Sequence, residues 1–138
     1  MGKVLGIDFG DTRIGLAISS DDGHFVFPYQ TIENDGSTAC LKSIQAICAK
    51  EEVKLIIVGL PLDQHGTMGQ KAKTVQAWGD QLARVTGCAI KYEDERYSTA
   101  LANSIKKQAG WSSKKTRATI DQTAASMILQ SFLDKQHG

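Results

Sequence analysis

The chain has 138 residues, a formal net charge of +1, 41% hydrophobic residues and 22% charged ones. That length suits a single domain, 1–138, whose core needs no disulfide or structural metal. The near-neutral charge excludes a molecule that grips nucleic acid over its whole surface, so any such contact must be a local patch. Cys40, Cys48 and Cys88 lack CxxC spacing and read as reduced core thiols, not as a disulfide frame or zinc site. No apolar run reaches the roughly 18 residues of a membrane span, and Met-Gly-Lys-Val leads straight into a strand. A cytoplasmic protein with no membrane contact is therefore expected.

The first element is an apolar run, Val4 to Ile7, that ends on Asp8. Gly10-Asp11-Thr12 makes a tight turn into a second run, Ile14 to Ile18. Asp22-Gly23 marks another turn, and a third strand follows from about Phe25 to Ile32, with Pro28 suited to an edge. Leu41, Ile44, Ile47 and Cys48 recur at helical spacing, which predicts a helix from about Ser37 to Glu51. Leu55 to Val58 is the continuous apolar run of a strand buried on both faces. Thr67 with Gln70 forms a capping-box pattern ahead of a helix carrying Met68, Ala72, Val75, Trp78 and Leu82, stopped by Gly87. Cys88 to Tyr92 is a fifth strand that runs into Glu93-Asp94-Glu95-Arg96. A helix from Ser98 or Thr99 to Ala109 and a last one from about Lys115 to Leu133 complete the chain.

The order β-β-β-α-β-α-β-α-α predicts an α/β fold. A three-strand antiparallel meander would continue into two parallel strands, making a mixed five-stranded sheet flanked by helices. Sites in such sheets gather at the carboxyl ends of the parallel strands. Asp8 and the Glu93–Glu95 cluster both stand at such ends. On the last helix, at roughly 100° per residue, Asp121 falls in line with Ala125, Ile128 and Phe132 on the apolar face, where a carboxylate is out of place. Three carboxylates from these elements can converge on Mg²⁺, a cation that prefers oxygen ligands and takes few carboxylates plus substrate phosphates. The competing structural roles are a turn-capping Asp8 and an Asp121 placed to suit the helix dipole.

Together these stretches resemble the YqgF-type (RuvX-like) family of RNase H-like nucleases, described both as Holliday-junction-resolvase-like and as pre-16S rRNA nucleases. The matching segments are residues 6–17, Val58-Gly-Leu-Pro61 with Gly66-Thr67, Asp94-Glu-Arg96 with Ser98-Thr99, and Ile120 to Gln130. They span nearly the whole chain in order. The resemblance implies an RNase H-like fold and a nuclease dependent on Mg²⁺ or Mn²⁺. Its catalytic and metal-binding acids would be Asp8, Glu95 and Asp121. Its substrate would be precursor rRNA, cut near the 5′ end of the small-subunit RNA, with branched DNA as the alternative. Choosing Glu95 over Asp94 rests on the two pointing to opposite faces of a continuing strand. Resolvases of the wider fold also carry an acid at the end of the fourth strand, where this chain has Gly59-Leu60-Pro61.

Lys106, Lys107, Lys114, Lys115 and Arg117 occupy a stretch without an acid, a candidate phosphate-binding segment that would make binding salt-sensitive. Trp111 lies among them and suits base stacking or packing under a helix. Arg13 and Arg96 flank the acids and can orient a carboxylate or touch phosphate, with a structural salt bridge as the equal alternative. His65, in the loop after the fourth strand, is a lesser candidate for proton transfer. Two other function classes fit parts of the pattern. A sugar-kinase-like ATPase begins with a similar hairpin but needs two such domains. A non-catalytic nucleic-acid-binding module would keep the fold and the basic segment. Nothing in the sequence assigns an oligomeric state.

Overall fold

A computed structural model describes residues 2–95 and 114–137, with the backbone alone for 114–120 and 137. Five strands form one sheet: β1 (Val4–Phe9), β2 (Arg13–Ser19), β3 (Val26–Glu33), β4 (Leu55–Leu60) and β5 (Ala89–Asp94). Three helices are described: α1 (Ala39–Glu51), α2 (Gln70–Thr86) and α3 (Lys114–His137). The expected helix from residue 98 to 109 lies outside the described residues, as do Arg96, Lys106, Lys107 and Trp111.

The strand order is β3-β2-β1-β4-β5. β1 and β2 pair antiparallel, as do β2 and β3, whereas β1–β4 and β4–β5 are parallel. This is the mixed sheet the element order predicts. Pro28 sits on the edge strand β3 opposite Ala17, beside a bulge at Leu16/Ala17, where its missing N–H costs no interior ladder bond. β4 lies inside the sheet, and its Ile56, Ile57 and Val58 are fully buried.

The two faces of the sheet carry two cores, divided by the strand period of two. Leu5, Ile7, Leu16, Ile56 and Val58 pack with Ile44, Val75 and Leu82 on the α1–α2 side. Val4, Ala17 and Ile57 pack with Ala125, Ile128, Leu129 and Phe132 of α3. Burying each large aliphatic side chain of α3 contributes about 1.5–3 kcal/mol, which fixes the helix firmly to the sheet.

α3 crosses the strands at close range because glycines lie beneath it. A Cβ on Gly15 of β2 would stand 2.0 Å from the Asp121 carbonyl oxygen. On Gly6 of β1 it would stand 2.7 Å from the Leu129 Cβ, and on Gly59 of β4 2.5 Å from the Ile128 Cδ1. At the far end, the Ser131 hydroxyl (2.8 Å) and the Lys135 ammonium (2.7 Å) donate to the buried Glu93 carboxylate of β5. The helix thus spans all five strands and brings its Asp121 end over the β1–β2 hairpin.

Two local expectations change. The Thr67–Gln70 capping box does not form. Asp63 closes the loop instead, accepting the N–H groups of His65 (2.8 Å) and Thr67 (2.9 Å), and α2 starts after Gly69 without a side-chain cap. Asp63 competes better because its carboxylate closes a five-residue turn on itself before the helix begins. α1 starts at Ala39 rather than Ser37, whose hydroxyl accepts the Ala39 N–H at 3.2 Å.

Candidate active site

Val4, Gly6 and Asp8 share the face of β1 that meets α3. Asp8 pairs in register with Gly15 of β2, and Gly15 is where the backbone of Asp121 rests on the sheet. The hairpin and the helix therefore set Asp8 and Asp121 side by side. The hairpin itself is braced twice. The Gly10 N–H donates to the Arg13 carbonyl (2.9 Å), and the Asn34 side chain donates to the Gly10 carbonyl (2.8 Å).

Glu95 reaches the same point from further away. It follows the last residue of β5, and β4 stands between β5 and β1. Its N–H donates to the Leu60 carbonyl at 3.3 Å, which ties it to the end of β4. A Cβ on Gly59 would lie 2.5 Å from Glu95 Oε2, so the glycine leaves the space through which Glu95 crosses β4 toward Asp8. The missing acid at the end of the fourth strand thus has a structural counterpart. Gly59 gives its place to a carboxylate that arrives from the next strand.

Asp8 and Glu95 hydrogen-bond to each other. Burial raises both carboxyl groups above their ordinary range. Glu95 is pushed up to about 8, by burial first and then by the Asp8 charge and hydrogen bond. For Asp8 the hydrogen bond from Glu95 works against burial, and the Asp121 charge adds to it. Glu95 is therefore the partner that holds the shared proton, and Asp8 accepts. Glu95 is 6% exposed, and its Oε2 is buried with no hydrogen-bond partner among the described residues. A buried carboxylate pair with an unmatched oxygen is costly unless a cation or a proton compensates it.

Asp121 does not complete a cluster. Arg13 Nε donates to its Oδ2 at 2.7 Å, and both side chains are partly exposed. Among the described residues, no three His, Cys, Asp or Glu side chains group as a metal-binding set. Arg13 is thus paired with Asp121, which fits both the acid-orienting and the salt-bridge roles expected of it. Glu93, beside the site in sequence, is turned away to Ser131 and Lys135. Asp94 ends β5, and its charge raises Glu95 slightly further. His65 is exposed, with its ring 3.3 Å from the Gln64 amide.

Lys71, in the first turn of α2, was not foreseen. Its charge lowers both Asp8 and Glu95, so it stands within electrostatic reach of the pair from the other side of the sheet edge. Its only sequence signal is its position just after the carboxyl end of β4, where sites of such sheets gather. Of the expected basic segment, Lys114, Lys115 and Arg117 fall in the first turn of α3.

The donor set is oxygen only, which suits a hard cation such as Mg²⁺ or Mn²⁺ over zinc or copper. Two adjoining carboxylates that hold a proton between them, one with a buried oxygen unpartnered among the described residues, fit a site where a divalent ion replaces that proton.

The chain is similar to several known proteins. A family model described as RuvX, Holliday junction resolvase, matches residues 2–135. A protein of Anaeromyxobacter sp. (strain Fw109-5) named "Putative pre-16S rRNA nuclease" is 38% identical over 135 residues, 98% of this chain and 98% of that one. A protein of the same name from Chloroflexus aggregans (strain MD-66 / DSM 9485) is 36% identical over 131 residues, covering 95% and 92% of the two chains. Among solved structures, Thermus thermophilus RuvC in complex with a Holliday junction superposes with TM-score 0.55 at 15% identity, covering 100% of this chain and 97% of that one. The Fowlpox virus resolvase bound to Holliday junction DNA gives TM-score 0.56 at 9% identity over 97% and 98%. At such identities the structural likeness establishes the RNase H-like fold alone.

Proposed function

Since this chain belongs to the RuvX family, we propose that it is a hydrolase of nucleic-acid phosphodiester bonds that acts on the 5′ region of precursor small-subunit rRNA. The observation that carries this is the buried Asp8–Glu95 carboxyl pair with its unpartnered Oε2, at the carboxyl edge of the parallel strands. The curated relatives named for pre-16S rRNA favour RNA as the substrate.

Asp8 and Glu95 would hold Mg²⁺ or Mn²⁺, with Asp121 near enough to act on Asp8 through its charge. When bound, such an ion activates water and stabilises the leaving oxygen of a phosphodiester. The side chains do the rest. Arg13 holds Asp121 in place and presents a guanidinium to approaching phosphate. Lys71 supplies positive charge that offsets the repulsion of a phosphate by the acids. Lys114, Lys115 and Arg117 at the start of α3, with Arg96, Lys106 and Lys107 from the segment before it, would grip the backbone on either side. Gly59 keeps the path between the two acids open. Among the described residues no helix is long and apolar enough to cross a membrane.

The test is cleavage of a precursor small-subunit rRNA fragment, with a four-way DNA junction in parallel. Wild type and Asp8→Asn are each assayed with Mg²⁺, Mn²⁺ or EDTA. RNA cut by wild type in metal, and by neither the mutant nor the EDTA sample, is the expected result. Cutting of the junction alone would transfer the activity to DNA, the substrate in the family's description. Binding without cleavage by both proteins would leave a nucleic-acid-binding module.

A further inference from the structure

At the end of the sheet opposite the acids, two thiols meet. Cys48 lies in the last turn of α1 and Cys88 just before β5. The Cys48 thiol donates to the Cys88 sulfur. Val53 contacts both: its N–H donates to the Cys48 carbonyl at 2.9 Å, and its carbonyl accepts the Cys88 thiol at 3.2 Å. Both cysteines line one open cleft of about 660 Å³, with Glu52, Lys54 and Thr86. Cys48 is buried and Cys88 half-buried. Cys40 lies two turns back on α1, roughly 12 Å along the axis, too far to pair with Cys48 within the helix.

We propose that Cys48 and Cys88 form a reversible dithiol–disulfide couple, oxidised by a small disulfide of the glutathione type that enters this cleft. The more exposed Cys88 reacts first. Its thiolate attacks one sulfur of oxidised glutathione, the glutathione S–S bond breaks, and one glutathione leaves and takes up a proton. Cys48 then gives its proton to water and attacks the Cys88 sulfur, forming the protein S–S bond and expelling the second glutathione. Two protein thiols lose two electrons and two protons in all, and one oxidised glutathione becomes two reduced ones. Burial, and then the charge and hydrogen bond of Cys88, hold the Cys48 proton, pushing its thiol up to about 12. Capping Cys88 removes the last two causes, which prepares Cys48 for the second step. The crosslink would tie the end of α1 to the start of β5, the strand that leads to Glu95.

The test is independent of nuclease activity. The folded full chain is incubated with oxidised glutathione, quenched by alkylation and mapped by mass spectrometry. A Cys48–Cys88 crosslink with Cys40 alkylated, reversed by excess reduced glutathione, is expected. Cys48→Ser should stop at a glutathione adduct on Cys88, and Cys88→Ser should give neither product. A lasting glutathione adduct on wild-type Cys88, a crosslink that includes Cys40, or no oxidation at all would overturn the proposal. Far-UV circular dichroism checks that each variant is folded, Cys48→Ala serves as the alternate variant, and the wild-type map decides if none folds.

Discussion

Gly59→Ala separates the geometry of the acid pair from the stability of the fold. The new methyl would stand 2.5 Å from both Glu95 Oε2 and Ile128 Cδ1, where ordinary contact begins at 3.4 Å. Each neighbour must retreat by about 1 Å. Both are tips of flexible side chains rather than backbone, so they can move. Ile128 can turn within the α3 core at a cost of about 1–3 kcal/mol, the usual range for one added methyl group. Glu95 can retreat only away from Asp8, because Gly59 lies in its path across β4. A misplacement of about 1 Å in a catalytic group costs about 10²-fold in rate. Cleavage of the precursor rRNA fragment should therefore fall about 10²-fold, while the urea midpoint shifts only modestly. Gly69→Ala is the control, since nothing lies within 4 Å of its added Cβ. A Gly59→Ala protein that is folded and cuts at the wild-type rate would refute the crossing of Glu95 over β4 as the basis of the site.

Gly15→Ala should behave differently, because its methyl meets the Asp121 backbone at 2.0 Å. Lifting α3 from β2 should cost about 3 kcal/mol or more in urea unfolding, at the upper end for overpacking, and equal stability with wild type would contradict this contact. In EDTA, stability should depend on pH through Glu95. Its folded value, about 8, lies above the ordinary 4.5, so the protonated pair stabilises fully below 4.5 and the contribution is lost as pH rises through 8. Within that window each pH unit removes about 1.4 kcal/mol. Thermal melts of Glu95→Gln should lack this slope, and added Mg²⁺ should restore wild-type stability at the alkaline end. Arg13→Ala should change stability by less than about 1 kcal/mol, since its pair with Asp121 is partly exposed, yet lower cleavage; an unaltered rate would remove Arg13 from the site. Lys135→Ala leaves the buried Glu93 with Ser131 as its remaining side-chain donor among the described residues and should cost about 1–3 kcal/mol, read as a shifted urea midpoint with cleavage retained.

The five strands and the three described helices are legible from the residues alone, because their signals are local. Period-two and continuous apolar runs mark Val4 to Ile7 and Leu55 to Val58, and a helical stripe marks Leu41 to Cys48. The mixed pairing, antiparallel then parallel, followed from short turns and helical crossovers, whereas the strand order came from the structure. Asp8 and Asp121 were legible as anomalies, carboxylates placed where their elements bury apolar groups. Which acids touch is settled by packing between elements. Whether Glu95 reaches Asp8 depends on the absent side chain of Gly59, on a strand remote from both in sequence, and no periodicity encodes that. The same is true of Arg13 holding Asp121, of Lys71 acting on the pair from α2, and of Glu93 turning to Ser131 and Lys135. Cys48 and Cys88 read as separate core thiols because nothing in their spacing shows that α1 ends beside the start of β5. Element identity is set by neighbours along the chain, whereas a site is set by distances between elements, which close packing of the whole domain alone fixes.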